Sequence, residues 1–444
     1  FRWLIAENLQ DVTTPEQLMV VERREWGNFY GYLVAVKENG RVVASGESAL
    51  AELEARLERA LDLTEEIHEI ENAEIGAINY QLERLRLKQR RLELDDALTD
   101  AARLELQEER AALDAQYQGL KSHLDELNVQ IGRDSMVARS MNGAEKEIPL
   151  KLVVQFKQPN AMSFFGKVAD YFHQLWLFLS DDPREANTEG GVFPAIFGTV
   201  LMVILMSVIV TPFGVVAAVY LREYAKQGPL TRTIRVAVNN LAGVPSIVYG
   251  VFGLGFFVYF LGGNLDALFY PEAAPAPVFG TPGLMWASIT LALLTLPVVI
   301  VATEEGLTRI PKSLREGSLA LGATKFETIT KVILPMSSPA MMTGLILAIA
   351  RAAGEVAPLM LVGVVKLAPT LPLDGNFPYL HLERKFMHLG FHIYDVGFQS
   401  PNVEAARPLV YATAALLVVV IVALNLTAIM IRNRLREKYR ALEN

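Results

Sequence analysis

Five long apolar runs constrain the fold of this chain more than any other feature of its sequence. A helix that crosses a bilayer needs about 20 mainly apolar residues. Runs of that length lie at 192–221, 236–262, 283–303, 339–366 and 408–431. Because the interior of a bilayer offers no water to backbone polar groups, spanning segments must be helices or closed barrels. We therefore predict an all-α polytopic membrane domain over residues 192–444, with five spans.

Basic residues in the connections indicate how these spans are oriented. Lys and Arg are frequent in 222–235 and in the tail 432–444, whereas 263–282 contains neither. Cytoplasmic loops carry the excess of Lys and Arg, so the first connection, the loop 304–338 and the tail are predicted to be cytoplasmic. The segment 1–191 then lies outside. This predicts a multi-pass membrane protein with an extracytoplasmic N-terminal domain.

Composition separates the chain into two parts and excludes some chemistry. Residues 1–190 carry 35 acidic and 22 basic side chains, and residues 191–444 carry 14 and 19. Such asymmetry is typical of an acidic soluble domain joined to a basic membrane domain. The chain has no cysteine, which excludes disulfides, thiolate catalysis and Cys-based metal sites. It also has no phosphate-binding loop motif, so we predict that it is not itself an ATPase, and nothing suggests nucleic-acid binding.

Two strand patterns predict a small β-sheet domain over residues 1–160. Apolar residues alternate around Asn39-Gly40, a strong hairpin signal. They alternate again along 147–156. The domain is therefore predicted to be α+β, since the sequence between these patterns is helical in character.

Leucines at helical spacing fill the region between the strand patterns. They form the groups Leu50, Leu53, Leu57 and Leu61; Leu82, Leu85 and Leu92; and Leu113, Leu120, Leu124 and Leu127. The pattern breaks at 94–100. We predict an antiparallel coiled-coil hairpin over about 47–132, either a solvated structural arm or an arm that also docks a partner. The aromatic-rich segment at 162–181 predicts an amphipathic helix on the membrane surface, within an interfacial helix and linker over 161–191.

The cytoplasmic loop 304–338 contains a stretch with strong local signals. Gly322 is placed to end a short helix beginning at Glu316 in a left-handed turn. Thr324 and Glu327 have the spacing of a capping box that begins the next helix, and Pro335 marks the entry to the next span. These signals predict a stiff helix–turn–helix, which is consistent with an ordinary capped connection or with a surface that docks a partner.

This stretch resembles the signature loop of ABC-importer permeases. The matching positions are Glu316, Gly317, Ser318, Gly322, Val332, Leu334 and Pro335. The resemblance implies a type I importer permease fold in which this loop is the coupling helix that seats on an ATPase subunit. It also implies an ATPase dimer that binds ATP and Mg²⁺, a second permease subunit and a periplasmic binding protein as partners. No cofactor would then be bound by this chain.

Four further blocks are similar to the phosphate-transporter permease of the PstA type. They lie at 187–199, 211–224, 244–255 and 348–361. This resemblance implies that the chain is a non-catalytic permease subunit importing inorganic phosphate. Members have six spans, so we expect one span before Phe1, and the outer domain resembles an insertion found in long members between the first two spans. Val301 departs from the arginine of shorter relatives, so no phosphate role carries over to it.

Arg351 and Glu355 are the candidate charges of the pathway. They lie four residues apart in the predicted fourth span, where an arginine is costly and needs a partner. Gly344, Ala348 and Ala352 give the same helix a small-residue face for close packing. The pair is either a phosphate-handling site, as the resemblance implies, or a buried structural ion pair.

Other polar residues leave alternatives open. Asn239 and Asn240 either line the pathway or cap a helix. His381, His388 and His392 belong to the outer loop 367–407, and His-only spacings of 7 and 4 residues are weak metal signals, so we predict no metal site. The alternative functions are a permease for another oxyanion or nutrient, and a membrane-anchored periplasmic coiled-coil adaptor or sensor.

Overall fold

The computed structural model describes residues 13–184, 187–400 and 403–440. Predictions that concern residues 1–12, 185–186, 401–402 and 441–444 lie outside this part of the chain. The chain forms two compact units. One comprises Phe1–Gly191 with Pro271–Ala274, and the other comprises Val192–Tyr270 with Pro275–Asn444.

A six-stranded antiparallel sheet forms the centre of the first unit. Its strands are β1 (Met19–Arg23), β2 (Phe29–Glu38), β3 (Arg41–Ser45), β4 (Asp134–Ser140), β5 (Glu145–Pro149) and β6 (Val153–Lys157). The strand order is β5-β4-β2-β1-β6, and β3 pairs with β2. Asn39 and Gly40 both have positive φ, 47° and 76°, the conformation that a two-residue hairpin turn requires. The hairpin predicted at these residues is present.

The predicted strand at 147–156 is two strands in the structure. β5 ends at Pro149, a short 3-10 turn follows at Leu150–Leu152, and β6 begins at Val153. Proline cannot donate a ladder hydrogen bond, and the turn buries Leu150 completely. The single alternating pattern therefore supplies strands to opposite edges of the sheet.

Helix α1 (Ser48–Glu69) covers one face of this sheet. Ala49, Leu53, Leu57 and Ala60 are buried in the same cluster as sheet residues such as Met19. The first leucine group of the sequence therefore packs on the sheet and not on a second helix. Periodicity alone could not distinguish the two, because either partner requires the same apolar stripe.

The rest of this region is a helical hairpin. A π-helical turn (Ile70–Glu74) joins α1 to α2 (Ile75–Leu94), and α3 (Asp100–Ile131) returns after a break, with Thr99 as its N-cap. Two cross-hairpin pairs give the direction: Glu66 with His123 at 3.2 Å and Lys88 with Glu105 at 3.6 Å. The residue number increases from Glu66 to Lys88, whereas the number of the paired residue decreases from His123 to Glu105. The helices therefore run antiparallel.

We expect the outer part of this hairpin to be dispensable for assembly of the membrane unit. Removal of residues 68–121, with a short turn joining the ends near Glu66 and His123, leaves the sheet covered because α1 up to Ala60 stays. The shortened protein should insert and assemble normally, as measured by membrane fractionation and gel filtration.

Deletion of all of residues 47–132 should have a different effect from deletion of residues 68–121. It strips α1 and Ile131 from the sheet core, and losing several buried aliphatic side chains costs about 2–5 kcal/mol each. The first unit should then unfold. Failure of the shorter deletion to insert would contradict the prediction.

The first unit ends in a helix and a small hairpin. Helix α4 (Phe164–Ser180) is followed by β7 (Pro183–Arg184) and β8 (Glu189–Gly190), which pair with each other. The Arg184 guanidinium lies 2.5 Å from Glu22 of β1, which ties this hairpin to the sheet.

The described residues of the second unit include five helices long and apolar enough to cross a membrane. They are Phe193–Tyr224, Ser246–Phe269, Leu284–Arg309, Lys325–Gly354 and Ala406–Arg434. The elements in this unit are α5 (Phe193–Val219), α6 (Pro229–Leu241), α7 (Ser246–Phe252), α8 (Gly263–Phe269), α9 (Leu284–Arg309), α10 (Lys312–Ala320), α11 (Lys325–Glu327), α12 (Leu334–Gly354), α13 (Leu359–Val362), α14 (Leu389–Tyr394) and α15 (Val403–Arg440). Wider π-helical turns occur at Tyr220–Tyr224, Gly253–Gly262, Thr328–Ile333 and Asp395–Gln399.

Two of these helices differ from the predicted spans. The run 236–262 is broken between α6 and α7, where Pro245 is extended and precedes α7, because the residue before a proline disfavours the helical conformation. The run 339–366 ends as a helix at Gly354. Four residues later Pro358 packs its backbone against Gly250, where an added methyl would lie 2.7 Å from the Pro358 Cα.

Helix α9 is the centre of the second unit. In its most apolar window 67% of the residues are buried, against 6% in the last span. Glycines allow its neighbours to approach closely: a methyl on Gly214 of α5 would lie 2.6 Å from Val299, and one on Gly344 of α12 would lie 2.7 Å from Ala302. The small-residue face predicted on α12 is confirmed, since Ala348 and Ala352 are also fully buried.

Candidate functional site

The loop after α9 has the local structure that its sequence predicts. Gly322 has φ of +90°. The Ala323 N–H donates to the Ser318 carbonyl at 3.2 Å, and the Gly322 N–H donates to the Leu319 carbonyl at 3.0 Å, which together form a Schellman motif. Thr324 and Glu327 form the predicted capping box. The predicted start is wrong by one turn, since α10 begins at Lys312 instead of Glu316.

The tip of this loop is exposed and apolar. Leu321 is 90% exposed and Phe326 is 67% exposed, while Glu316 and Gly317 are also exposed. Ser318 faces inward, where its hydroxyl lies 2.9 Å from that of Thr328. An ordered loop with exposed apolar side chains is typical of a surface that binds another protein.

The remaining signature residues lie where the loop re-enters the membrane unit. Val332 packs beside the buried cluster of Leu307, Ile310 and Ile333. Leu334 and Pro335 begin α12, which continues directly from the π-helical turn Thr328–Ile333 within one long helix. These residues therefore attach the loop to the membrane unit, whereas Glu316 and Gly317 lie on its exposed surface.

Arg315 fastens the same loop to two other segments. Its guanidinium donates to the carbonyls of Leu307 at 2.7 Å and Ile310 at 2.8 Å, at the end of α9, and lies 2.9 Å from the Glu223 carboxylate, after α5. The Lys325 ammonium lies 4.6 Å from the centre of the Tyr224 ring. Sequence reasoning missed Arg315, because its acidic partner is far away in the chain and no local spacing signals it.

A polar cavity of about 450 Å³ lies between α6 and α9. Asn239 and Val301 line it together with Arg235, whose guanidinium lies 3.1 Å from the Glu304 carboxylate. Arg235 and Asn239 are one helical turn apart on α6, so they share a face. Asn240 is exposed, and its carbonyl accepts from the Gly243 N–H at 3.0 Å where α6 ends.

A second cavity of about 360 Å³ shares Asn239, Val301 and Glu305 with the first. It extends to Leu347 of α12. Leu347 is one helical turn before Arg351. Asn239 and the helical turn that precedes Arg351 therefore lie in the same region of the second unit.

Arg351 and Glu355 form an ion pair at the end of α12. The Arg351 Nε atom lies 3.6 Å from Glu355 Oε1, and the side chains are 31% and 22% exposed. Arg351 is in the last turn, and Glu355 is the C-cap with extended backbone. The helix of the predicted fourth span therefore ends between the two residues. A cation in the last turn is favoured by the helix dipole, and the pair stays partly open to its surroundings.

The three histidines of the outer loop are all buried. His381 is 2% exposed and lies 3.0 Å from Asp374 and 3.1 Å from Glu383. His388 is fully buried and is the N-cap of α14, where its Nδ1 accepts from the Gly390 N–H at 3.1 Å. In the described ranges no three His, Asp or Glu side chains are grouped to hold a metal ion.

We expect the outer loop to lose stability as the pH falls from about 6.5 to 4. Burial lowers the pKa of both His388 and His392 to about 4. Below pH 6.5 the unfolded chain takes up protons that the folded loop does not, so each histidine removes up to about 3 kcal/mol. Hydrogen exchange of the α14 amides, corrected for intrinsic rates, measures this loss.

His388→Asn is the matched control for that titration. Asparagine keeps a side-chain acceptor for the Gly390 N–H and is a good N-cap, but it does not titrate in this range. The pH-dependent loss should fall by about half, because His392 still contributes. An unchanged pH dependence would show that His388 is not responsible.

Comparison with known proteins identifies relatives of the membrane unit. The family model described as "Binding-protein-dependent transport system inner membrane component" matches residues 210–440. The chain is 36% identical over 247 residues to "Phosphate transport system permease protein PstA 1" of Mycobacterium tuberculosis, covering 55% of this chain and 71% of that protein. It is 34% identical over 255 residues to "Phosphate transport system permease protein PstA" of Yersinia pestis, covering 57% and 76%.

Solved structures of transporters also match. An inward-facing form of the MetNI methionine ABC transporter matches at 20% identity with a TM-score of 0.40, covering 59% of this chain and 98% of that one. A bacterial ABC transporter involved in alginate import matches at 14% identity with a TM-score of 0.40, covering 60% and 83%.

Proposed function

Because the chain belongs to the family of binding-protein-dependent transport system inner membrane components, as a permease of the PstA type, we propose that it moves inorganic phosphate from the periplasm to the cytoplasm. It is an ABC importer permease, a multi-pass membrane component and not a catalyst. The observation that carries the phosphate assignment is the 36% identity to a permease named for phosphate transport. That similarity covers 71% of the relative's length.

The proposed pathway runs past Arg351 and Asn239. Guanidinium can pair two of its N–H groups with two oxygens of one phosphate. In the structure Arg351 is held by Glu355 at 3.6 Å, longer than a close charge-assisted hydrogen bond, so an arriving anion can exchange with the carboxylate. Glu355 would then limit how long phosphate stays. Asn239 lines both cavities and supplies a neutral hydrogen-bonding group beyond the arginine.

The loop at 304–338 is the proposed contact with an ATPase subunit. The exposed Leu321 and Phe326 offer an apolar surface, and Glu316 and Gly317 lie on the same short segment. Gly317 has open space where a side chain would stand, which allows another backbone to approach. Movement of the ATPase pair, which would bind ATP and Mg²⁺, would reach α12 through Val332, Leu334 and Pro335.

Importers of this family work with ATPase subunits and a substrate-binding protein. For this chain we propose an ATPase dimer, a second homologous permease and a periplasmic phosphate-binding protein as partners, in a bacterial inner membrane. In the apolar window of the last span only 6% of the residues are buried, which leaves the span able to contact lipid or the second permease. The α+β unit with its coiled-coil hairpin would be periplasmic and the C-terminal tail cytoplasmic.

Anion uptake in cells that lack this chain tests the proposal. Phosphate uptake should fall and return with the restored gene, whereas sulfate and molybdate uptake should not change. A loss confined to sulfate or molybdate would favour the alternative, a permease for another oxyanion. Normal uptake of all three would remove the phosphate assignment.

A further inference from the structure

The polar side of helix α4 faces its own domain and the apolar side faces away, which is the reverse of an ordinary surface helix. It has 17 residues, and none of its side chains is buried. A surface helix normally turns its apolar stripe toward its own domain and its polar residues toward water. In α4 the contacts with the sheet come from the polar side, and the apolar side faces away.

The polar side of α4 is bonded to strand β6. The Asp170 carboxylate lies 2.7 Å from the Lys157 ammonium. One turn later the Gln174 amide donates to Gln155 Oε1 at 3.1 Å. Both partners belong to β6, so these contacts fix which face of the helix points to the sheet.

The opposite side presents a continuous apolar surface. Its large exposed side chains are Phe164, Phe165, Val168, Tyr171, Phe172, Leu175 and Trp176, each between 39% and 82% exposed. At 100° per residue they lie within one face of the helix. Such a contiguous patch on a described surface indicates a binding partner.

Chain connectivity places one end of this helix at the membrane. Gly191 packs directly on the last turn of α4: an added methyl would lie 2.2 Å from the Asp181 carbonyl and 2.8 Å from the Leu177 carbonyl. Two residues further on, Phe193 begins α5, the first helix in the described residues that is long and apolar enough to cross a membrane. The C-terminal end of α4 is therefore within about 7 Å of chain from a helix that starts at the bilayer surface.

We propose that the apolar face of α4 binds the bilayer surface, with its aromatic rings in the interfacial layer. Tyr171 and Trp176 suit this layer because their rings are amphipathic. Lys167 is the one charged side chain exposed on the helix, since Asp170 is paired with Lys157. Binding is thus driven by apolar burial and does not require anionic lipid, unlike that of basic amphipathic helices.

A pair of spin labels tests which surface α4 contacts. The chain has no cysteine, so Phe172→Cys and His173→Cys each carry one unique label on adjacent, exposed residues that differ by 100° around the helix. In the full chain reconstituted in phosphatidylcholine vesicles, the label at 172 should be relaxed several-fold more by oxygen than by a water-soluble nickel complex. The label at 173 should show the reverse.

Each other outcome overturns the proposal. Equal nickel access at both positions would place the helix in water. Shielding of the label at 172 from both reagents would mean that a protein, such as a companion subunit or a second copy, covers the face. Brominated acyl chains should also quench the fluorescence of the otherwise unmodified chain less in Trp176→Phe, which checks the result without a label.

A second experiment varies the charge of the lipid. The oxygen-to-nickel ratio at 172 should be the same in phosphatidylcholine and in an equal mixture with phosphatidylglycerol. A several-fold rise in the anionic mixture would show that charge drives the contact and would overturn that part of the proposal. Phosphate transport does not enter either measurement, so the outcome is independent of the proposed function.

Discussion

Arg351→Lys should lower phosphate uptake by about tenfold to a hundredfold in an assembled complex. Hydrogen bonds to charged groups contribute about 1.5–3 kcal/mol, and each 1.4 kcal/mol corresponds to about tenfold in affinity. Lysine keeps the positive charge at the end of α12 and can still pair with Glu355, but it cannot place two parallel N–H groups on one phosphate. Uptake into proteoliposomes with a fixed amount of complex measures the change.

Arg110→Lys is the matched control for this substitution. Arg110 is also the first member of an i,i+4 pair, with Asp114 at 3.9 Å, but it lies on the hairpin helix α3. Its replacement should leave uptake unchanged. Wild-type uptake by Arg351→Lys would rule out paired recognition of phosphate by this arginine and leave a structural ion pair.

Gly322→Val should uncouple ATP hydrolysis from transport. The residue has φ of +90°, a conformation that costs a side-chain-bearing residue about 1–3 kcal/mol and a β-branched residue most. Relief of that strain would unwind the Schellman turn and displace Leu321 and Phe326 from the proposed docking surface. Insertion should stay normal, while phosphate uptake per ATP hydrolysed falls by about tenfold, the equivalent of 1.4 kcal/mol.

Gly322→Asn tests whether the effect of Gly322→Val comes from backbone strain or from the size of the added side chain. The position has open space for a side chain, so neither substitution creates a clash, but asparagine tolerates the left-handed conformation. Coupling should therefore survive in Gly322→Asn. Glu316→Lys, which changes charge on the exposed side of α10 without strain, should weaken coupling through the surface alone. Normal transport by both Gly322→Val and Glu316→Lys would contradict a coupling role.

Local signals predicted local structure well in this chain. The turns at Asn39-Gly40 and Gly322 and the capping box at Thr324 depend on a few neighbouring residues, and all three are present. The family could also be recognised, because its signature is a spacing within one loop. What the sequence could not supply was the partner of each apolar or charged face, as with Arg315.

Hydropathy located the membrane helices but not all of their ends. Apolar runs continued through Pro245 and past Gly354, so two predicted spans included backbone that is not helical. Pro245 and Pro358 were the signals, since each disfavours helix in the residue before it. The hydropathy pattern therefore places Glu355 within a helix, whereas Glu355 is the C-cap of α12. It also places Asn239 in the second span, whereas Asn239 lies on the separate helix α6.

The attachment of Arg315 has a mechanical consequence. One planar guanidinium joins the loop 304–338 to the end of α9 through two carbonyls and to the segment after α5 through Glu223, while the chain itself continues from the loop into α12. Three separate points of support define a plane, so a docked partner that pushed on the loop would tilt three helices together and would not merely bend one linker.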